Sequence, residues 1–366
     1  MNAEHRALRE AVGSLLEKRS PESRVRDLMA TDTGYDETTW QELADMGLLG
    51  LAVPEHHGGT GAGHVEMGIV LEEMGRALLC APFFSTAVLA PALLTALGDK
   101  DEQADVLPRL ASGAAIVTLA YAEGTSALIP DRLETRAQRS GADWLLTGAK
   151  NYVLDGAAAD LVYVLADTDD GPAVFAVDRD AAGLTPTPLT TIDLTRKQCA
   201  LRLNATPALP VGEPGCGAEV FAAALEAGGV ALLSEQAGGA HRCMRMAAEY
   251  AGTRFQFARA IGSFQAVKHM CADMLTEAES AVSAARHVAA AYDAGTPTRS
   301  TDLALAQAYC SDAFVSVAAT NIQVHGGIGF TWEHPAHLYL RRARTDAQLL
   351  GEPAHHRERY LRLTGV

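Results

Sequence analysis

Apolar residues recur at helical spacing through the first third of the chain. Leu8, Val12, Leu15 and Leu16 fall on one face of a 3.6-residue helix, and Leu43, Met46 and Leu49 repeat the pattern. LAVPEHHGGTGAG (51–63) interrupts it with Pro and Gly and reads as a loop. Residues 65–98 return to helix formers. An N-terminal helical domain over 1–115 is the expectation.

The pattern changes near residue 115. AAIVTLAYAE, WLLTGAKNYVL, DLVYVLAD and AVFAVD are short β-prone runs set between Gly, Asp and Pro. They predict a middle β-domain over 116–215, a small sheet or barrel. TPALPVGEPGCG (206–217) reads as a connector. From 218 to 292 the chain is Ala-rich with helical apolar spacing; AGTPTRS (294–300) reads as a turn, and a second helical run covers 301–324. A C-terminal helical bundle over 216–366 follows. Helices, then strands, then helices make an α+β multidomain protein rather than an alternating α/β fold.

Composition narrows the partners. The chain has 366 residues, 48% of them hydrophobic, enough for a large buried core. Its net charge of -15 disfavours nucleic acid and anionic membrane surfaces. Cys80, Cys199, Cys216, Cys243, Cys271 and Cys310 are scattered without a CxxC pair, which fits reduced thiols in a cytoplasm. The first residues are charged and lack an apolar h-region, so no signal peptide is expected. No run of about 18 uncharged apolar residues is apparent, so no membrane span is expected either.

Two segments carry candidate chemistry. RFQFARAIGSFQ places Arg254, Gln256 and Arg259 close together, within about one and a half turns if helical. A guanidinium fork suits a diphosphate, because it donates paired, charge-assisted hydrogen bonds. In QVHGGIG, Gln323 precedes glycines that let a backbone approach a ligand closely. His325 reads as a structural hydrogen-bonder. His56-His57 and His355-His356 read as exposed pairs, and no metal is expected, since no carboxylate or Cys accompanies them at ligand spacing.

Five ordered segments together resemble the acyl-CoA dehydrogenase family: residues 43–63, 148–166, 209–217, 254–274 and 323–344. The resemblance implies an N-terminal helical domain, a middle β-barrel-like domain and a C-terminal four-helix bundle, assembled as dimers or tetramers. It implies FAD as cofactor, with Arg254, Gln256, Phe257 and Gln265, and then Gln323, Gly326 and Gly327, contacting the FAD of a neighbouring subunit. The family's usual Gly after the Phe is here Ala258. Tyr152 keeps an aromatic place against the flavin ring.

The family reaction is α,β-desaturation of an acyl-CoA thioester: a buried carboxylate takes the α-proton and the β-hydride goes to the flavin. This chain departs from the pattern there. The two family places for that carboxylate fall on Leu350, followed by Gly351, and on Gly228. Glu235, seven residues beyond Gly228, is the remaining candidate base; Glu226 and Glu352 are weaker ones. In AYAEGTSALIP (120–130) only Glu123 survives of a Thr-Glu-Pro motif, with Ala122 and Gly124 beside it, and Leu154 replaces a flavin-facing Thr. Motifs that serve a neighbour's FAD persist while those serving the chain's own flavin are eroded.

That is the pattern of a half-site subunit. The chain resembles subunits of bacterial α2β2 acyl-CoA dehydrogenases that act on bulky steroid-derived CoA thioesters. The resemblance implies an acyl-CoA substrate, a second dehydrogenase subunit as partner (otherwise a homo-oligomer), and an electron-transfer flavoprotein or similar acceptor. Two alternatives stand beside it: a self-sufficient homo-oligomeric enzyme using Glu235, and a non-redox scaffold of the same fold.

Overall fold

The computed structural model describes residues 2–141 and 143–366. Its elements are α1 (Ala3–Arg19), α2 (Glu22–Met29), α3 (Glu37–Asp45), α4 (His64–Ala77), α5 (Ala90–Leu97) and α6 (Lys100–Ala111). Then come β1 (Val117–Ala120), β2 (Arg136–Ser140), β3 (Asp143–Leu154), β4 (Leu161–Thr168), β5 (Gly171–Asp178), β6 (Leu184–Pro188) and β7 (Gln198–Val211). The last part holds α7 (Gly217–Thr253), the two-residue strands β8 (Phe255–Gln256) and β9 (Arg259–Ala260), α8 (Gln265–Asp293), α9 (Arg299–His325), α10 (Ala336–Leu349) and α11 (Pro353–Thr364). The order is the expected one, helices before and after a β-region.

The chain divides into two compact units. One contains Asp27–Gly63 and Cys80–Gly228. Here β4, β5, β7, β3 and β2 pair in a closed ring: β4 with β5, β5 with β7, β7 with β3, β3 with β2, and β2 back to β4. The barrel-like expectation holds, and ring closure removes exposed sheet edges. Val164 and its cross-strand partner Phe175 are fully buried on one face of β4 and β5, while Tyr163, also fully buried, lies on the other face and donates to Glu102 of α6. The segment 206–211, read from its prolines as connector, is instead the end of β7: Pro207 stands in register with Leu145 and Pro210 with Phe175. The ladder tolerates a proline wherever its absent N–H is not called for.

The second unit contains the chain up to Arg26, His64–Leu79 and Gly229–Val366. The predicted apolar face of α1 is buried through Val12 and Leu16, and Asn2 caps the helix by accepting from the His5 N–H at 2.8 Å. α7, α8 and α9 supply the core, with Val230, Leu233, Ala281, Val288, Leu303 and Cys310 packed together. Helices α4 and α7 cross with their backbones touching. A Cβ at Gly75 would lie 2.1 Å from the Glu235 carbonyl oxygen, and one at Gly238 would lie 1.8 Å from that of Glu72. Only glycine permits such a crossing.

Three expectations change. Met46 is 40% exposed, because α3 has ended and Met46 occupies its C-cap. α7 carries an 18-residue window of mean hydropathy 1.4, long and apolar enough for a membrane span that the sequence reading did not register; 61% of that window is buried within the fold, as in a core helix. Residues 254–260 are not α-helical, as the next section describes, and a short 3-10 turn at Ile261–Ser263 leads into α8.

Candidate active site and cofactor-contact segments

α7 stops at Thr253 and the chain turns back on itself. Gln256 pairs with Arg259 and Phe255 with Ala260, so the segment read as a helical turn is a tight hairpin. Phe257 and Ala258 form its tip at φ 51° and 63°. Two successive left-handed residues are what a two-residue hairpin turn requires, which explains the glycine usual at position 258. Arg259 is committed locally: its guanidinium carbon sits 3.9 Å from the Phe264 ring centroid. Arg254, Gln256 and Gln265 are exposed, and their side chains make no hydrogen bond among the described residues. Phe255 and Phe257, 62% and 86% exposed, flank them.

The end of α9 lies beside this hairpin's stem. Tyr250, in the last turn of α7, stacks on His325 at 4.4 Å between centroids, and His325 in turn meets His334 at 4.2 Å. A His325 ring nitrogen donates to the Asn321 carbonyl at 2.8 Å, and burial lowers its pKa. It is a structural histidine. Gln323, Gly326 and Gly327 are exposed; a Cβ at either glycine would meet nothing within 4 Å, and Gly326 has φ 64°. The structure therefore brings together, in one unit, the guanidinium, the amides and the open glycine backbone that a diphosphate-bearing cofactor such as FAD would use. These residues fit that group.

The places for a base look different. Glu235 is 4% exposed and ion-paired with Arg342 of α10, 3% exposed, at 2.5 Å from Nη1 to Oε1. Leu350 is buried at the end of α10. Gly228 is buried inside α7, Glu226 is half-buried, and Glu352 is exposed at the N-cap of α11. Leu350 and Gly229, next to Gly228, line one small cavity of about 10 Å³. His356, expected to be exposed, lines it too: it is 4% exposed, and burial with its neighbour His355 lowers its pKa to about 4. The sequence reading missed Asp346, Gln236, Gln307 and Ser311, which also face that cavity. Their only sequence signal was polarity at core positions of otherwise apolar helices.

In the β-unit, Glu123 is committed internally. It accepts from Lys150 Nζ at 2.6 Å and from the backbone N–H groups of Glu134 and Thr135. Lys150 is fully buried, and desolvation lowers its pKa to about 8 despite the pairing; the same lysine holds Glu123 below the usual carboxylate range. Tyr152 sits in a bulge of β3 at φ 55°, half-buried. A tyrosine held in the left-handed region is a strained residue whose ring is aimed by the fold. Leu154 is 6% exposed, and its carbonyl accepts from Thr118 Oγ1 at 2.6 Å. No group of three or more His, Cys, Asp or Glu side chains able to hold a metal occurs among the described residues.

Comparison with known proteins adds an independent line. Residues 2–114 match the family model "Acyl-CoA dehydrogenase, N-terminal domain", and residues 215–362 match "Acyl-CoA dehydrogenase, C-terminal domain". The acyl-CoA dehydrogenase IpdE2 of Mycobacterium tuberculosis is 37% identical over 96% of this chain and 94% of its own length. Among solved structures, the ChsE4-ChsE5 complex from Mycobacterium tuberculosis is similar at a TM-score of 0.90 and 29% identity, over 100% of this chain and 98% of that one. A variant of the steroid ACAD Tcur3481-Tcur3483 gives a TM-score of 0.87 and 29% identity over 99% and 98%.

Proposed function

The chain belongs to the acyl-CoA dehydrogenase family, flavoprotein oxidoreductases acting on acyl-CoA, and we propose that within it this chain is the half-site subunit of a heteromeric enzyme. It lends Arg254, Gln256, Phe257 and Gln265, with Gln323, Gly326 and Gly327, to an FAD held mainly by a partner subunit that also carries the base. The observation that carries this reading is one contrast. The side chains suited to a diphosphate are exposed and uncommitted, whereas Leu350 and Gly228 hold no carboxylate and Glu235 is buried against Arg342.

FAD, when bound, would accept the hydride from the substrate's β-carbon. This chain's part is binding and orientation. Arg254 would hold the diphosphate by charge-assisted hydrogen bonds, and Gln256, Gln265 and Gln323 would add directional ones. The Gly326–Gly327 backbone allows close approach. The substrate in this reading is a bulky steroid-derived acyl-CoA, as the name of the steroid ACAD Tcur3481-Tcur3483 suggests, the acceptor is an electron-transfer flavoprotein, and the setting is the cytoplasm.

The test is purification alone and after co-expression with a second dehydrogenase subunit encoded beside it. The lone chain should be nearly colourless and inactive; the complex should hold one FAD per heterodimer and desaturate. Stoichiometric FAD with turnover in the lone chain would overturn the proposal. The competing reading, a self-sufficient enzyme using Glu235, requires Glu235→Gln to abolish turnover with FAD retained. The Arg342 ion pair speaks against it, because a carboxylate held by a buried guanidinium is a weak base.

A further inference from the structure

Gln236, Gln307 and His356 are 1%, 6% and 4% exposed, and all three line the small cavity beneath Leu350. Each carries a buried acceptor atom with no hydrogen-bond partner among the described residues. Gln236 Nε2 donates to Ser311 Oγ at 3.0 Å, but Gln236 Oε1 accepts from no described group. Gln307 Oε1 and His356 Nδ1 are likewise without a donor. His356 is neutral near pH 7, with its other ring nitrogen engaged by the Gly351 carbonyl, so Nδ1 is a lone pair. Ser311 and Asp346 complete the polar lining. Three buried acceptors converging from α7, α9 and α11 call for a small donor. The cavity's volume of about 10 Å³ is at the lower bound for one water and far too small for an acyl chain.

We propose that the place where the family keeps its base is, in this chain, a closed polar plug. Gln307 Oε1 and His356 Nδ1 accept the two hydrogens of one ordered water beneath Leu350, binding α9 and α11 together, and no acyl group enters. This rests on the half-site reading, since it explains how the chain does without an acyl end of its own.

Two measurements on the co-purified complex test it. A crystal structure soaked with substrate should show, in this chain, one ordered water within hydrogen-bond distance of Gln307 and His356. Acyl density there, or a dry cavity, would overturn the plug. The second uses Gln307→Leu, close in volume. If the water bridges Gln307 and His356, removing Gln307 strands His356 Nδ1, and the melting temperature falls by about 2–4 °C. If the acceptors are dry, the same change removes an unsatisfied group and the melting temperature stays or rises, which sinks the proposal. FAD content and turnover of the complex should be unchanged. Should the variant not fold, the crystallographic result decides alone. Failure of the half-site reading has a separate signature, an active yellow lone chain, which neither measurement reports.

Discussion

The hairpin at 254–260 and the strand segment 148–154 are the two regions where the resemblance to the family implies cofactor contacts, yet their polar groups are partnered in opposite ways. On the hairpin and the neighbouring end of α9, the polar side chains of Arg254, Gln256, Gln265 and Gln323 are exposed and make no hydrogen bond among the described residues. On β3 and the residues before it, the surviving polar groups are turned inward. Glu123 is occupied by Lys150 and two backbone amides, and the flavin-facing hydroxyl has become the buried side chain of Leu154. The difference teaches how to read a retained motif residue. Glu123 matches the family pattern, but its partners account for it without any cofactor. Arg254 matches too, and no hydrogen bond among the described residues accounts for it. Exposure at no structural gain is what marks a residue kept for a ligand.

The comparison breaks most visibly if Glu235 proves uncommitted. Arg342→Leu leaves the Glu235 charge buried without its counter-ion and should cost about 3–5 kcal/mol in urea unfolding. Replacing both by leucine should recover most of that loss, since a buried pair often contributes little beyond an apolar isostere. A single substitution tolerated within about 1 kcal/mol would mean that Glu235 does not depend on Arg342 and is free to act as a base.

Acid titration separates the inward-facing groups by window. His356 has its pKa lowered from 6.5 to about 4, so between those values the unfolded chain binds a proton that the folded one refuses. Its stabilising contribution is complete above the unfolded value and drains away as pH falls toward 4, by about 2–3 kcal/mol. Glu123 is a depressed carboxylate; its contribution is complete above 4.5 and is lost as pH falls through its folded value. Unfolding free energies measured from pH 7 to pH 3 should therefore fall in two stages. His356→Asn flattens the upper stage and Glu123→Gln the lower one. Other histidines whose pKa is lowered by desolvation, buried His325 and half-buried His334 and His337, slope the same way, so each difference from the parent chain is the informative quantity.

The outward-facing group answers to a different assay. Arg254→Ala should leave unfolding within about 0.5 kcal/mol of the parent, as exposed substitutions do. In the assembled complex it should weaken FAD by about ten- to a hundredfold, the worth of a charge-assisted hydrogen bond. Equilibrium fluorescence titration of FAD into the apo-complex measures it. Unchanged affinity would remove Arg254 from the cofactor site and favour a scaffold without redox function.

Much of this architecture was legible in the sequence because it depends on local pattern. Val12 and Leu16 announced the buried face of α1, and the short β-prone runs DLVYVLAD and AVFAVD announced β4 and β5. The failures share a cause in residues whose state is set from far along the chain. Pro207 and Pro210 suggested a connector, but β3 and β5 recruited them into β7. Arg254 to Arg259 sat between two Ala-rich helices and read as their continuation, although the turn at Phe257 and Ala258 ends the helix. The Glu235–Arg342 pair spans 107 positions, and the polar lining beneath Leu350 comes from four separate helices, so no window of sequence contains either. The exposed cofactor motifs were readable as motifs; whether the missing base had a local substitute depended on those long-range partners.

Ala258 offers the finest test of the contrast. It holds φ 63° at the hairpin tip with a methyl group that the left-handed region disfavours by about 1 kcal/mol. Ala258→Gly relieves that strain, but it also loosens the unfolded chain, which returns part of the gain. A net stabilisation of about 0.5 kcal/mol is expected, visible as a small rise in melting temperature. The hairpin should keep its shape, and with it the placement of Arg254 and Gln256, so FAD affinity of the complex should hold or tighten slightly. If the glycine variant instead loses FAD, the alanine methyl is itself a cofactor or partner contact. The tip would then belong to the outward-facing set rather than merely supporting it.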